Sequence, residues 1–235
     1  MPTRGYSRLT DPGGLLTQQL ADSPLGAWAL QETGGTTATD SSGNGRNGTY
    51  SGTYTLGQSA ISSNGSPYSV TFGGGLVTVA DAAWMDVSDW TVEALIYPTA
   101  VTSYRAWVCR DDGSSDRLWC SMSSAAYPYD LAWNTTPTLY YNNASAGDAY
   151  IANTAYLVAT RWNSTTHKLD TIRNGTSQVS VTTTGTARTG AQPITIAQNA
   201  GGSFVFAGRI SHVAFYGSAL SDARLLVHAQ VAGLA

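Results

Sequence analysis

The chain has 235 residues, a length that one all-β sandwich commonly fills, so a single domain is expected. Only 11% of the residues are charged, the formal net charge is −3 and Lys168 is the one lysine, which leaves no basic surface for nucleic acid or an anionic membrane. With 42% hydrophobic residues, 7 Trp and 13 Tyr, the chain has ample material for a core, yet no run nears the roughly 18 apolar residues a membrane helix needs.

Residues 1 to 24 form a lead-in. MPTRGYSRLTDPGG has a basic start, with Arg4 and Arg8, but no apolar run behind it, so it does not read as an export signal. Leu15 to Ala21 is expected to make a short helix, stopped by Asp22-Ser23-Pro24. From residue 25 to 235 the chain punctuates as an all-β domain. Expected strands are Ala27–Leu30, Tyr68–Phe72, Leu76–Ala80, Trp90–Tyr97, Tyr104–Arg110 and Arg117–Met122. Further on they are Leu131–Asn134, Thr138–Tyr141, Tyr156–Trp162, Lys168–Arg173, Ser177–Thr182, Ile194–Ala197 and Phe204–Tyr216. These segments are rich in Val, Ile, Thr, Tyr and Trp and are parted by Gly, Asn or Pro. A polar Gly/Asn/Ser/Asp loop after Leu30 leads into a further short strand. Asn174-Gly175 is the sharpest hairpin signal, because both residues tolerate the positive φ of a tight turn. In Thr91 to Tyr97, Val92, Ala94 and Ile96 alternate to one side, and Leu95 and Tyr97 to the other. A central strand of a two-sheet sandwich would look like this. The last element is a helix with Ser221 as its N-cap, Asp222 in its first turn and Gly233 at its end.

Four segments, in this order, resemble the laminin-G-like members of the concanavalin A-like lectin/glucanase superfamily. ADSPLGAWALQE followed by DSSGNGRNGTY is similar to the family's opening strand and loop, and WTVEALIYP to its first long core strand. YLVATRWNSTTHKLDTIRNGT is similar to its paired strands, and ITIAQNAGGSFVFAGRISHVAFYGSALS to its closing strand and exit. The resemblance implies an antiparallel two-sheet jelly-roll sandwich with a short N-terminal lead-in and a C-terminal helix. The ADSP-x-x-x-W opening without an export signal also resembles domains of tailed-phage structural proteins. It implies a non-enzymatic virion protein, a capsid decoration or minor tail protein, present in many copies or as a homo-oligomer. Residues 1 to 24 would anchor it to other virion proteins, and the jelly roll would face cell-surface glycans. A free carbohydrate-binding module is the alternative.

Two candidate sites follow from the residues. The loop Asp40 to Gly48 offers Asp40 and Asn44 as oxygen ligands for calcium, an ion that wants six to eight hard oxygens. Relatives complete such a site with an acid on the closing strand, where this chain has Ser211 and His212, so the plainer alternative, an Asx-turn loop needing no cofactor, is preferred. Tyr127, Tyr129, Trp133, Tyr140 and Tyr141 gather beside Asn and Asp residues. Flat aromatic faces with polar neighbours suit a sugar, although core packing or a subunit contact would use the same residues. Catalysis is not expected. Glu32 and Glu93 are the only glutamates and lie far apart, whereas a glycosidase needs paired carboxylates, and His167, His212 and His228 lack metal-ligand spacing. Each of these histidines is expected on the surface or on a strand face. Cys109 and Cys120 flank a turn. A hairpin centred between Ser114 and Ser115 would oppose them closely enough to bridge, but reduced buried thiols are preferred.

Overall fold

The computed structural model describes residues 14–63, 67–111, 118–133, 139–142, 147–182 and 190–235. A short helix, α1 (Leu15–Ala21), is followed by β1 (Gly26–Trp28), β2 (Thr37–Ala38), β3 (Gly48–Ser51), β4 (Tyr54–Ser59), β5 (Tyr68–Phe72) and β6 (Leu76–Val79). After a 3₁₀ turn at Ala83–Met85 come β7 (Trp90–Pro98), β8 (Arg105–Arg110), β9 (Leu118–Met122), β10 (Asp130–Trp133) and β11 (Leu139–Asn142). The chain continues through β12 (Tyr156–Asn163), β13 (Lys168–Arg173), β14 (Thr176–Thr182), β15 (Ile194–Ile196) and β16 (Gly208–Tyr216) to α2 (Asp222–Val231). The strands form two antiparallel sheets. The first runs β14-β13-β12-β7-β16-β5-β4, with β1 on the far half of β16, and the second runs β11-β10-β9-β8-β15-β6-β3-β2. This is the jelly-roll sandwich the sequence implied.

The core lies between the sheets. Val92, Ala94 and Ile96 of β7 face it together with Trp28, Phe72, Trp107, Val158, Ile194 and Phe215. Leu95 points the other way and is buried all the same, because the helices cover that face of the first sheet. There α2 lays Leu225 on Ala159, Ile172, Ala214 and Tyr216, while Leu15 of α1 packs with Leu95, Leu157 and Ala229. Each fully buried side chain of this size contributes about 1.5–3 kcal/mol. The domain boundary expected at residue 24 therefore does not coincide with a break in packing, since α1 belongs to the sandwich. Any anchoring by residues 1–13 lies outside the described residues.

Local chemistry explains the details. Asn174 and Gly175 take φ of 50° and 75°, the pair a two-residue hairpin turn requires. A Cβ on Gly175 would come within 2.7 Å of the Leu226 backbone, so the turn also lets α2 approach. Ser221 caps α2 by accepting from the Arg224 N–H at 3.3 Å. The β8–β9 ladder is offset by one residue from the symmetric expectation: Cys109 pairs with Trp119, and Cys120 with Val108. One step of register reverses the face. Cys109 joins an outer cluster and Cys120 the core, and no disulfide links them.

Candidate functional site

The outer face of the second sheet carries an aromatic cluster that includes no residue from either helix. Cys109 and Trp119 are cross-strand partners in β8 and β9, and Ala106 lies beside them. Onto this floor pack Tyr104, Tyr129 and Phe204. The Trp119 and Phe204 ring centroids are 4.4 Å apart; Tyr104 meets Tyr129 edge-on at 5.1 Å and Phe204 edge-on at 5.5 Å. These are favoured ring geometries, each stabilising by about 0.5–1.5 kcal/mol beyond area burial. Trp119 is 9% exposed and forms the floor, whereas Tyr104 is 39% exposed and forms the open rim.

Each ring is held in place. The indole Nε1 of Trp119 donates to the buried carboxylate of Asp111. Phe204 adopts a φ of 54°, rare for a residue with a large side chain, in a loop tied to β8. There the Ala106 N–H donates to the Phe204 carbonyl at 2.8 Å, and the Arg105 guanidinium donates to the Val205 carbonyl at 2.8 Å. Asn199 closes the same loop by accepting from the Ser203 N–H at 2.6 Å. Tyr129 is fixed through its backbone, its N–H donating to Ser121 and its carbonyl accepting from the Ser121 hydroxyl.

Of the aromatics expected from the sequence, Tyr129 lies in this cluster, and Tyr127, half-buried, lies two residues before it in the adjoining turn. Trp133, Tyr140 and Tyr141 supply backbone pairing in β10 and β11, and their side chains lie outside the described residues. By register, Trp119, Leu131 and Tyr141 occupy one row across β9, β10 and β11. Tyr104, Trp119 and Phe204 were not singled out by sequence. Only Trp119, flanked by Leu118 and Cys120 in a short apolar strand, carried a local hint, and that hint pointed to the core.

The Asp40 loop closes on itself. One carboxylate oxygen accepts from the Ala27 N–H at 3.0 Å and the Ser42 N–H at 2.9 Å; the other accepts from the Ser42 hydroxyl and the Arg46 N–H, both at 2.9 Å. Burial raises the Asp40 pKa, but these bonds outweigh it and leave the carboxyl below its usual value. Asn44 turns its amide nitrogen to the Pro24 and Leu25 carbonyls. A calcium ion would have to displace four donors from Asp40, and among the described residues no group of three or more His, Cys, Asp or Glu gathers to hold a metal. The residues present do not fit that ion.

The glutamates share no site. Glu32 accepts from the Thr39 N–H and the Tyr50 hydroxyl, both at 2.8 Å. Glu93 is buried beneath the helices, where it accepts from Gln19 at 2.9 Å and contacts His228 Nδ1 at 3.0 Å. His228 Nε2 reaches Asp22 at 2.9 Å, and Arg224 pairs with the same Asp22. His212 is buried in the bulge of β16 with Nδ1 3.1 Å from the Ser211 hydroxyl. The expectation of surface or strand-face positions thus fails for His228, which faces inward from a helix; His212 lies on a strand, β16, but on a buried face. A groove of about 300 Å³ beside the start of α2 is lined by Arg161, whose guanidinium is engaged by Asp170, Asp222 and the Leu220 carbonyl.

Comparison with known proteins agrees with this architecture. Among solved structures, domain 4 of AbnA, an extracellular arabinanase of Geobacillus stearothermophilus determined with arabinotriose, superposes with a TM-score of 0.66 at 17% identity, over 88% of this chain and 98% of that one. The receptor-binding domain of botulinum neurotoxin mosaic serotype C/D gives 0.67 at 11% identity, over 90% of this chain and 51% of that one, so the chain spans about half of the toxin fragment. The CBM40 of the Ruminococcus gnavus IT-sialidase, bound to α2,3-sialyllactose, gives 0.52 at 16% identity, over 60% and 82% of the two chains. At these identities the likeness is one of fold. A search of curated protein sequences finds no match. The model of the concanavalin A-like lectin/glucanase superfamily of laminin-G type matches residues 71–225, most of the sandwich, and the chain belongs to that family.

Proposed function

We propose that this chain is a non-catalytic, lectin-like carbohydrate-binding module whose ligand lies on the outer face of the second sheet, over Tyr104, Phe204 and Tyr129. The observation that carries this is the partly exposed ring cluster on the sheet face opposite the helices. Rings stack on the C–H faces of a sugar, and tyrosine hydroxyls meet its hydroxyl groups. The sugar-bound neighbours, with arabinotriose and α2,3-sialyllactose, support the class of ligand. A shallow platform gains little per contact once the ligand is ordered, so the monomer is expected to bind weakly and clustered copies strongly.

The test is a glycan array containing arabino-oligosaccharides and sialyllactoses, probed with the monomer and with a multivalent form. Binding should appear with the multivalent form and fall at least tenfold in Tyr104→Ala, which should stay folded with a melting temperature lowered by only a few degrees, for its two lost edge-on ring contacts. Binding unaffected by Tyr104→Ala would move the site elsewhere. Release of reducing sugar, lost in Glu93→Gln, would make the protein a hydrolase.

The particle setting is a separate proposal that rests on the family resemblance alone. In it, residues 1–13 dock on virion proteins and many copies are displayed. Deleting residues 1–13 should leave a folded domain that no longer joins the assembly; incorporation at the full-length level would end that idea.

A further inference from the structure

We propose that Asp130 makes the aromatic platform responsive to pH: with its carboxyl protonated the β9–β10 corner is held closed, and its ionisation in the dry gap between the sheets loosens the corner that carries Trp119 and Tyr129. The link to ligand binding rests on the carbohydrate-binding reading above; the coupling between Asp130 and the corner does not.

Asp130 is fully buried at the start of β10, in the interior between the two sheets. One carboxyl oxygen accepts from the Ser121 N–H of β9 at 2.9 Å, and the other meets the Thr171 hydroxyl of β13, on the opposite sheet. This one side chain therefore ties the β9–β10 corner to the facing sheet. The next residue back is Tyr129 of the platform, and Ser121 also accepts from the Tyr129 N–H. Any shift of Asp130 moves the backbone on which Tyr129 and, through β9, Trp119 stand.

No described cation pairs with this carboxyl. From β9 it faces Cys120, whose thiol is pushed up by burial and by Asp130 itself. From the segment before β12 it faces Tyr150, likewise pushed up by burial and by Asp130, with a hydroxyl that has no hydrogen-bond partner among the described residues. β12 and β13 add the hydroxyls of Thr160 and Thr171. The guanidinium of Arg173, also on β13, is turned to the rings of Tyr150 and Tyr156, 5.3 and 5.1 Å from their centres, and to Asp148. An unpaired buried charge is costly, so the group holds its proton instead. Burial raises the Asp130 pKa to about 7, against the smaller lowering effect of the Thr171 and Ser121 hydrogen bonds and the nearby Thr160 hydroxyl.

The size of the effect follows from linkage. In an open corner the carboxyl titrates at its ordinary value of 3.8, and in the closed one at about 7. The opening equilibrium should then rise on the order of tenfold between pH 6 and pH 8, and level off above that.

The experiment has a ligand-free arm and a ligand arm. Hydrogen exchange of the amides of residues 118–122 and 129–133 is measured from pH 5.5 to 8.5, corrected for intrinsic rates, in the wild type and in Asp130→Asn. Amides of α2 serve as a control for global effects. The wild-type corner should lose about tenfold in protection from pH 6 to 8, and the variant should not. If Asp130→Asn fails to fold, carboxyl ¹³C NMR of the wild type decides instead: titration near 7 supports the coupling, and titration near 4 overturns it. So does pH-independent protection. In the ligand arm, arabinotriose should bind more weakly at pH 8 than at pH 6 in the wild type and equally in the variant. Exchange that responds to pH while binding does not would overturn the link to the platform. No binding at either pH would remove the ligand assignment, and the exchange result would still decide the coupling.

Discussion

At the scale of single residues, the informative groups are those that are buried, charged and answered by a specific partner. His228 is wholly buried with Glu93 on one nitrogen and Asp22 on the other. Burial alone would lower its pKa, but the Glu93 hydrogen bond and the two carboxylate charges raise it above 6.5. A group that titrates higher folded than unfolded stabilises fully below its unfolded value and loses that contribution as pH rises. His228 therefore stabilises below about 6.5 and fades above it, and Asp130 fades between 3.8 and about 7. His212, lowered by burial to about 4, acts in the opposite sense: its contribution is complete above 6.5 and is lost as pH falls towards 4. Below 6.5 the Asp130 and His212 contributions oppose each other. Above it only losses remain, so the melting temperature should fall from pH 6.5 to 8.5, and His228→Gln should flatten that limb. A melting temperature that rises over this range would contradict the assignment. Asp40 offers a second check. Removing its carboxylate strands three backbone N–H groups, so Asp40→Ala should cost about 2 kcal/mol whether or not calcium is present. A large calcium-dependent rise in wild-type melting temperature, abolished in the variant, would show that the loop binds the ion after all.

At the scale of elements, legibility tracked local pattern. β5 and β13 and the helix α1 begin and end where alternation, helix spacing and turn residues place them. β3 is the short strand expected after the polar loop, but β2 and β4 were hard to see because they are short or rich in Gly, Ser and Thr and lie toward the sheet edges, where little burial enforces alternation. The length of α1 was legible, but its docking was not. Nothing local to Leu15 and Gln19 announces that they will meet Leu95, Ala229 and Glu93. The same holds for the platform: residues 104, 119, 129 and 204 meet only once β8 and β9 have paired and the 199–206 loop has folded back on β8. A scan for contiguous aromatics finds Tyr129 and misses the others. The cysteine register escaped for a related reason, since a one-residue offset in the turn is invisible until the ladder forms. The docking of α1 yields a test. Removing residues 1–13 should leave the melting temperature almost unchanged. Removing residues 1–20 deletes Leu15 and leaves Glu93 without Gln19, a loss of at least about 3 kcal/mol. For a domain of this size that is a fall of roughly 6–12 °C. Equal melting temperatures for the two truncations would show that α1 is not part of the stable unit.

At the scale of the whole molecule, the two faces of the sandwich have different tasks. The first sheet spends its outer face on α1 and α2, which bury Leu95, Leu157 and Tyr216 and close over the Glu93–His228–Asp22 network. The second sheet keeps its outer face for rings, with Trp119 as the floor and Tyr104 at the rim. That division is the physical basis of the proposed binding module and the reason the proposed ligand is placed on the ring-bearing face. The most direct measurement is chemical-shift mapping on the ¹⁵N-labelled domain, titrated with arabinotriose and, separately, with α2,3-sialyllactose. The predicted result is that one of these sugars shifts amides around residues 104–107, 119–121, 129 and 203–206, and that Tyr104→Ala abolishes those shifts while leaving the spectrum of a folded domain. Shifts confined to the Asp40–Gly48 loop or to the face covered by α1 and α2, unchanged in Tyr104→Ala, would contradict it.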